Sequence, residues 1–285
     1  MRQSLIYFLL SLPILVMVIW FYLDKYNIKK RELKRMQLRS QPLAPEYLHI
    51  LQTEFPLYLR LPDELQRKLA GHIQVFLSEK DIFGRNGLEI NNKIRVLIAA
   101  QACLLILNRP GNYYPGFRSI LVYPDTYVAS STRREGMLQI TGISARAGES
   151  WRRGPIVLAW DHVLQGARDS RDGHNVVMHE FAHKLDEENA AMNGLPLLPT
   201  PGQYKQWSQV LNAEFDVQQQ KLTNGTGDVI DSYGATSPAE FFAVVTETFF
   251  EKPHQLEHRH PQLYEQFKQC YLLDPKQWCQ GNTHG

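Results

Sequence analysis

The hydrophobic pattern begins with an unbroken apolar run near the N-terminus. Residues 3–23 are 21 positions without a charged side chain, dominated by leucine, isoleucine, valine, phenylalanine and methionine. As a helix this run is about 30 Å long, which is enough to cross the hydrocarbon core of a bilayer. Tyr7, Trp20 and Tyr22 lie near its ends, where membrane interfaces favour aromatic rings. The pattern predicts a transmembrane helix over residues 1–23, with a buried core helix as the alternative.

A basic segment follows the apolar run. Six lysine and arginine residues lie between residues 24 and 35, whereas Arg2 is the basic side chain on the other flank. The positive-inside rule therefore predicts a single-pass protein of the inner (cytoplasmic) membrane, with residue 24 onward in the cytoplasm. No small-residue cleavage site follows the run, which argues against a removed signal peptide. Residues 24–45 form the predicted basic juxtamembrane linker, and contact with anionic headgroups or simple solvation are both open for it.

From residue 46 onward the pattern predicts one continuous domain of helices and a few strands. Helical periodicity marks residues 63–77, 92–107, 174–189, 203–221, 238–251 and 260–272. Runs typical of strands cover residues 119–123, 136–140 and 155–160. Because helices outnumber strands and the strands cluster in the middle, the expected class is α+β. Residues 46–285 are then a mostly helical domain with a small sheet beside the helix at 174–189.

Composition and charge exclude some classes of function. The 285 residues are 44% hydrophobic and 21% charged, which is ordinary for a globular protein. The net charge of +2 gives no reason to expect nucleic acid as a partner. The three cysteines, Cys103, Cys270 and Cys279, are far from CxxC spacing. A disulfide framework or a cysteine-based zinc site is therefore not expected.

The helix predicted for residues 174–189 carries the motif His179-Glu180-Phe181-Ala182-His183. A spacing of four places both imidazoles on one helix face, where they can bind one ion at about 2 Å. Glu180 is placed to hold a water molecule rather than the metal, which is the arrangement of a water-activating zinc hydrolase. The neighbouring positions are apolar, and two histidines and a glutamate in such a helix are costly without partners.

A catalytic zinc site needs a third protein ligand. The position six residues after His183 is Asn189, so the metzincin pattern is excluded. A later helix offers Glu240 and Glu247, which are seven residues apart and share a face. Ser237 and Glu240 also match a capping box, which would explain Glu240 without a metal. Local pattern leaves the choice between the two glutamates open.

Several long strings resemble the zinc-dependent peptidases related to Mlc titration factor A. They cover residues 114–117, 122–124, 148–151, 154–158, 179–186 and 233–244, in the same order as in that family. The resemblance runs from about residue 60 to 275 and implies a zincin-like fold, with a metal-site layout shared with the anthrax lethal factor catalytic domain. It implies that one Zn²⁺ ion is bound by His179, His183 and Glu240. It also implies that the hydroxyl of Tyr233 faces the active site.

Three further groups of residues have two interpretations each. Asp186 is on the face of His179 and is either an acceptor for a ligand N–H or a charge near the helix end. Residues 156–160 are either an edge strand that pairs with an extended substrate or an ordinary core strand. Tyr233 either donates to the oxyanion or packs at a loop–helix junction. His174 and the cluster of His254, His258 and His260 are interpreted as ordinary surface or helix-end residues.

The leading hypothesis is therefore a zinc aminopeptidase or endopeptidase, with a peptide or protein substrate at the cytoplasmic face of the membrane. Glu180 acts as general base and then as general acid, and Tyr233 stabilises the oxyanion. The alternative comes from the name of the resembling family, which implies sequestration of a transcriptional repressor. In that hypothesis the chain is a membrane-tethered binding protein whose metal site is structural or vestigial.

Overall fold

Helices make up most of the described chain. In the computed structural model the backbone is described for residues 2–109, 113–125, 127–135, 138–146, 148–150, 154–198 and 200–278, and the side chains for residues 16–109, 113–125, 154–198 and 200–278. Helices α1 to α11 cover, in order, Arg2–Ser40, Pro45–Glu54, Pro56–Arg60, Asp63–Glu79, Asn92–Leu105, Trp160–Arg168, Val176–Asp186, Gln203–Asn224, Pro238–Glu251, Pro253–Arg259 and Pro261–Tyr271. Short 3-10 turns cover Glu187–Asn189, Ser232–Thr236 and Pro275–Gln277. Strands β1 to β6 cover Asp81–Gly84, Ser119–Tyr123, Tyr127–Glu135, Leu138–Arg146, Gly148–Ser150 and Ile156–Ala159.

The chain divides into two units, Met1–Pro42 and Leu43–Gly285. The first unit is the long helix α1. Within the described residues, no helix is both long enough and apolar enough to cross a membrane. This finding gives no support to the membrane helix predicted for residues 1–23. The side chains of residues 1–15, which hold much of that apolar run, lie outside the described part.

The second unit is built on a small mixed sheet with strand order β1-β2-β6-β5. Strands β1, β2 and β6 are parallel, with Ile82 opposite Ile120 and Ile120 opposite Ile156. Strand β5 pairs antiparallel with β6, and β3 and β4 form a separate antiparallel pair. The described domain is thus mostly helical with a small sheet, as the α+β prediction requires.

Strand β6 is an interior strand. It lies between β2 and β5, and all four of its side chains are buried. The interpretation of residues 156–160 as an edge strand that pairs with a substrate was therefore wrong. The edge position belongs to β5, and Trp160 already begins α6. A strand covered on both faces reads as a continuous apolar run, so the sequence alone did not separate the two cases.

Helix α7 is the central helix of the second unit. Asn175 caps its N-terminus by accepting a hydrogen bond from the backbone N–H of Met178 at 3.0 Å. The apolar side of α7 is anchored by Phe181, whose ring packs against the rings of Phe76, Tyr114 and Phe117. The opposite side faces α9, and α5, α6 and β5 also contact the helix. The motif histidines are therefore presented by a helix that is fixed on several sides.

Helix α9 begins and ends where the sequence predicted, at Pro238–Glu251. Ser237 caps it and accepts from the backbone N–H of Glu240 at 3.2 Å, and Pro238 occupies the first turn. Every residue from Phe241 to Glu251 is buried, including the carboxylates of Glu247 and Glu251. Buried glutamates need hydrogen-bond donors, and here the donors lie on α7 and on the segment that leads into it.

Proline explains several elements that the sequence analysis missed. Helices α2, α3 and α10 were not predicted, and each begins with a proline in its first turn. The same holds for α11, which was predicted. Proline lacks the N–H that a first-turn residue does not need, so consecutive short helices can follow one another without a long loop. Strand β1 was also missed, because four residues give too little alternation to detect.

The loop after α7 depends on Gly194. Its φ is +73°, and a Cβ there would lie 2.5 Å from the carbonyl oxygen of Pro238. The backbone N–H of Gly194 donates to Asp186 at 2.8 Å, and its carbonyl accepts from the indole of Trp207 at 2.9 Å. This glycine therefore lets the loop approach the start of α9 closely.

We expect Gly194→Ala to lower the free energy of unfolding by about 2–4 kcal/mol, because it combines a left-handed backbone with a backbone clash. Gly202→Ala is the matched control, since Gly202 has φ −64° and open space around its Cβ position. Urea unfolding of both variants measures the difference. Equal midpoints for the two would contradict the proposed close approach.

Candidate metal centre

Three side chains converge between α7 and α9. The Nε2 atoms of His179 and His183 are 3.2 Å apart. Oε2 of Glu240 lies 3.0 Å from the first of these nitrogens and 3.3 Å from the second. One ligand atom from each of the three residues can therefore face a single point, and among the described residues this is the group suited to hold a metal ion.

The spacing of these atoms fits zinc. Ligand atoms about 2.0–2.1 Å from a tetrahedral zinc ion are about 3.3 Å from one another. The three separations of 3.0, 3.2 and 3.3 Å are close to that value. Two imidazole nitrogens and one carboxylate oxygen are also the donor set of many catalytic zinc sites, which leave the fourth position open.

Glu247 occupies the other side of His179. Its Oε1 lies 2.8 Å from Nδ1 of that ring, opposite the nitrogen that faces the cluster. A carboxylate in this position holds the proton on Nδ1, so the lone pair of Nε2 is directed at the metal point. The two glutamates that the sequence left open thus have different geometries: Glu240 lies at the cluster and Glu247 behind His179.

The contacts between histidines and carboxylates also shift the pKa values of His179 and Glu240. Burial lowers the pKa of His179, but its hydrogen bonds to Glu240 and Glu247 outweigh this and raise the pKa well above the ordinary value. Burial raises the pKa of Glu240, yet its hydrogen bonds to His179 and His183 hold that pKa well below the ordinary range. The same contacts therefore favour an ionised Glu240 and a protonated His179, and His179 must lose one proton before its Nε2 can bind a metal ion.

A second layer of contacts joins α9 to the start of α7, and the sequence analysis missed it. Oε2 of Glu247 accepts from the backbone N–H of Asn175. Glu251 accepts from the side-chain amide of Asn175 at 3.0 Å and from the backbone N–H of Gly173 at 3.0 Å. The available signal was the spacing of Glu240, Glu247 and Glu251, which places three carboxylates along one side of a buried helix.

The two predicted catalytic residues lie beside this cluster. Glu180 is 4% exposed and follows His179 directly on α7. Tyr233 lies in the 3-10 turn before α9, and its ring centroid is 6.1 Å from that of His179. Tyr233 is 53% exposed and therefore lies on the solvent side of the site. The structure thus brings together all five residues that the sequence analysis selected.

Two of the other interpretations change. Asp186 accepts from the backbone N–H groups of Gly194 and Leu195 at 2.8 and 2.9 Å, so it holds the loop after α7. His174 is exposed, as expected, and lies 3.9 Å from Asp231. His260 is not a surface residue, because it is 4% exposed and hydrogen-bonded through both ring nitrogens. A histidine just before a proline-initiated helix resembled a helix end, which hid its burial.

A cavity of about 590 Å³ lies at the C-terminal end of α7. Its walls are the segment 114–117 on one side and Lys184, Glu187, Glu188 and Ala190 on the other. Glu180, Lys184 and Glu187 are spaced by four and three residues, so they share one face of the helix and its continuation. The cavity therefore lies one helical turn or more beyond Glu180, and its described lining does not include the five selected residues.

The difference between the two glutamates predicts different zinc affinities. We expect Glu240→Gln to abolish tight zinc binding, because it removes the anionic ligand, whereas Glu247→Gln weakens binding by about 10–100-fold. Competition with a chromophoric chelator measures both. Glu257→Gln is the control, since Glu257 lies on α10 and its carboxylate pairs with Lys276 rather than with the cluster. A larger loss for Glu247→Gln than for Glu240→Gln would reverse the assignment.

Comparison with known proteins identifies the family of the chain. A protein of Synechocystis sp. described as uncharacterized is 43% identical over 244 residues, which are 85% of this chain and 89% of that protein. Mlc titration factor A of Escherichia fergusonii is 35% identical over 227 residues, covering 77% of this chain and 83% of that protein. Mlc titration factor A of Pectobacterium atrosepticum is 35% identical over 226 residues, with the same two coverages. The model of the glucose-regulated metallo-peptidase M90 family matches residues 28–272, and the chain belongs to that family.

Proposed function

We propose that this protein is a zinc-dependent peptidase that hydrolyses peptide bonds, either as an aminopeptidase or as an endopeptidase. The observation that carries the proposal is the set of three donor atoms within 3.0–3.3 Å of one another, directly beside Glu180 on the same helix. A purely structural zinc site is closed by four protein ligands, whereas the part of the chain that the structure describes offers three here. A site with three protein ligands leaves a position for water or substrate.

When bound, zinc supplies a Lewis acid that polarises the scissile carbonyl and makes a water molecule more acidic. Glu180 takes a proton from that water molecule while the water oxygen forms a bond to the carbonyl carbon. The same carboxyl group then gives the proton to the leaving amine nitrogen as the C–N bond breaks. Its position supports this role, because Glu180 follows His179 directly on α7 and is only 4% exposed to bulk water.

Tyr233 supplies a hydrogen bond where negative charge develops. A phenol near the His179 ring can donate its O–H to the tetrahedral oxyanion. His179 itself keeps a fixed orientation through Glu247, and Glu247 is in turn held by the backbone of Asn175. The cavity beside Lys184 and Glu187, one helical turn beyond Glu180, is the proposed place for substrate residues farther from the scissile bond.

A second candidate function is favoured by the names of the relatives. Mlc titration factor A is named for titrating Mlc. By analogy this chain binds a transcriptional repressor, either alongside peptidase activity or with the metal site in a structural role. Similarity over most of the chain supports the analogy, although binding surfaces vary more readily than a metal site does.

We expect Glu180→Gln to retain zinc while lowering kcat on peptides by about 10²–10⁴-fold, because it removes the proton acceptor but no ligand. Tyr233→Phe keeps the ring and loses the donor, and we expect about a 10²-fold loss in kcat. Zinc content by atomic emission and turnover on a mixed-sequence peptide library measure these effects. Undiminished turnover by Glu180→Gln would rule out this mechanism.

The same library separates the two candidate functions. Zinc at one ion per chain without turnover on any peptide favours the binding function. Turnover that disappears on chelation and returns with zinc favours the peptidase. An Mlc-type repressor added to both preparations then reports whether binding occurs independently of Glu180.

Location at the inner membrane remains part of the proposal, supported by the uncharged run at residues 3–23 and the basic residues after it. We expect the full chain to sediment with inner membranes and to resist extraction by alkaline carbonate, because one apolar helix is enough for insertion. A chain that begins at residue 43 should be released. Recovery of both chains in the supernatant would overturn the membrane prediction.

A further inference from the structure

His260 lies between two carboxylates, away from the metal site. It is the residue between α10 and α11, and 4% of its surface is exposed. Its Nδ1 is 2.7 Å from Oε2 of Glu214 on α8. Its Nε2 is 3.0 Å from Oδ2 of Asp228, in the segment that follows α8. A neutral imidazole has one N–H, so donation to both carboxylates requires the doubly protonated ring.

The charges around His260 favour that form. Burial lowers its pKa, but the hydrogen bonds to Glu214 and Asp228 outweigh burial and raise the pKa above the ordinary value of 6.5. Asp228 also faces two other cations, which by themselves disfavour a further positive charge nearby: Lys221 of α8 pairs with it, and Arg259 of α10 lies 3.6 Å from it. Asp228 thereby collects cations from α8, from α10 and from the junction between α10 and α11.

Asp228 begins the segment that leads to Tyr233. The carboxylate of Asp228 accepts from the backbone N–H of Val229 at 2.7 Å, and the side chain of Gln218 donates to the carbonyl of Ile230 at 3.0 Å. Asp231 then caps the 3-10 turn by accepting from the backbone N–H of Tyr233 at 2.8 Å. These contacts hold the backbone between Asp228, which pairs with His260, and Tyr233, which lies beside His179.

Because Tyr233 is exposed, the segment 228–233 matters for the position of its side chain. More than half of that side chain is accessible, so packing around the ring contributes less to its position than it would in a core. The backbone from residue 228 to 233 then has a large part in fixing where the hydroxyl lies. One of its anchors at the far end is the ion pair of Asp228 with His260.

We propose that His260 is a positioning residue for Tyr233, acting as a cation that ties Asp228 to Glu214 and so holds the segment 228–233 in place. The inference rests on the proposed peptidase function for its effect on turnover. Because the pKa of His260 is raised in the folded chain, the tie is fully present below pH 6.5 and is lost as the pH rises through the folded pKa. Loss of the contact between His260 and its two carboxylates loosens residues 228–233 and leaves the metal site in place.

A double-mutant cycle tests this route. We expect His260→Gln to lower kcat on peptides by about tenfold in the parent, with little change in KM, and to have no further effect when Tyr233 is already phenylalanine. His258→Gln, an exposed histidine two residues earlier, is the matched control and should match the parent. An equal loss in both backgrounds would show that His260 acts on stability alone and would overturn the proposal.

The pH profile provides a second variant that keeps the fold. In Glu214→Gln the amide can donate to Nδ1 of a neutral imidazole while Nε2–H still donates to Asp228. We expect the parent to lose turnover on the alkaline side and Glu214→Gln to keep it there. Identical alkaline limbs for the two proteins would contradict the proposal.

Hydrogen exchange separates this inference from the peptidase proposal. Backbone amides of residues 229–234 should exchange faster in His260→Gln than in the parent, whereas amides of α7 should not change. If the parent has no turnover on any peptide, the peptidase proposal fails, and the exchange data still decide whether His260 holds the segment. Unchanged exchange in residues 229–234 would reject that role directly.

Discussion

The carboxylate of Glu247 is the contact on which the site depends. One of its oxygens holds Nδ1 of His179, and the other holds the backbone N–H of Asn175 at the start of α7. A single buried side chain thus fixes both the rotation of a ligand ring and the position of the helix that carries it. If Glu247 lost these two donors, its carboxylate would be buried between α7 and α9 without a partner, at a cost of several kcal/mol.

The candidate metal centre depends on two kinds of contact. The face of α7 is fixed by aromatic packing around Phe181, which is insensitive to charge. The face of α9 is fixed by carboxylates, which need donors and therefore specify the register between the helices. Glu240 lies where these contacts meet: Ser237 caps its backbone N–H, while its side chain lies on the two histidines. The capping interpretation and the ligand interpretation of this residue thus describe different atoms.

Much of the fold and the site could be predicted from the sequence, for identifiable reasons. The motif on α7 has a fixed spacing, and α9 carries its own start signal in Ser237 and Pro238, so both were found. The choice between Glu240 and Glu247 needed a family resemblance, because both lie on one helix face. The burial of His260 and the role of Asn175 depend on contacts between distant segments, which no local pattern encodes. Strand β6 was ambiguous because burial on both faces removes the alternation that marks an edge.

Carboxylates from α9 contact both histidines of the cluster: Glu247 lies on Nδ1 of His179, and Glu240 lies on the Nε2 atoms of His179 and His183. These contacts leave the two rings few alternative rotamers. Part of the entropy of ordering the ligands is therefore lost when the chain folds, and less remains to be lost when an ion binds. Preorganisation of this kind raises affinity without any additional contact to the ion.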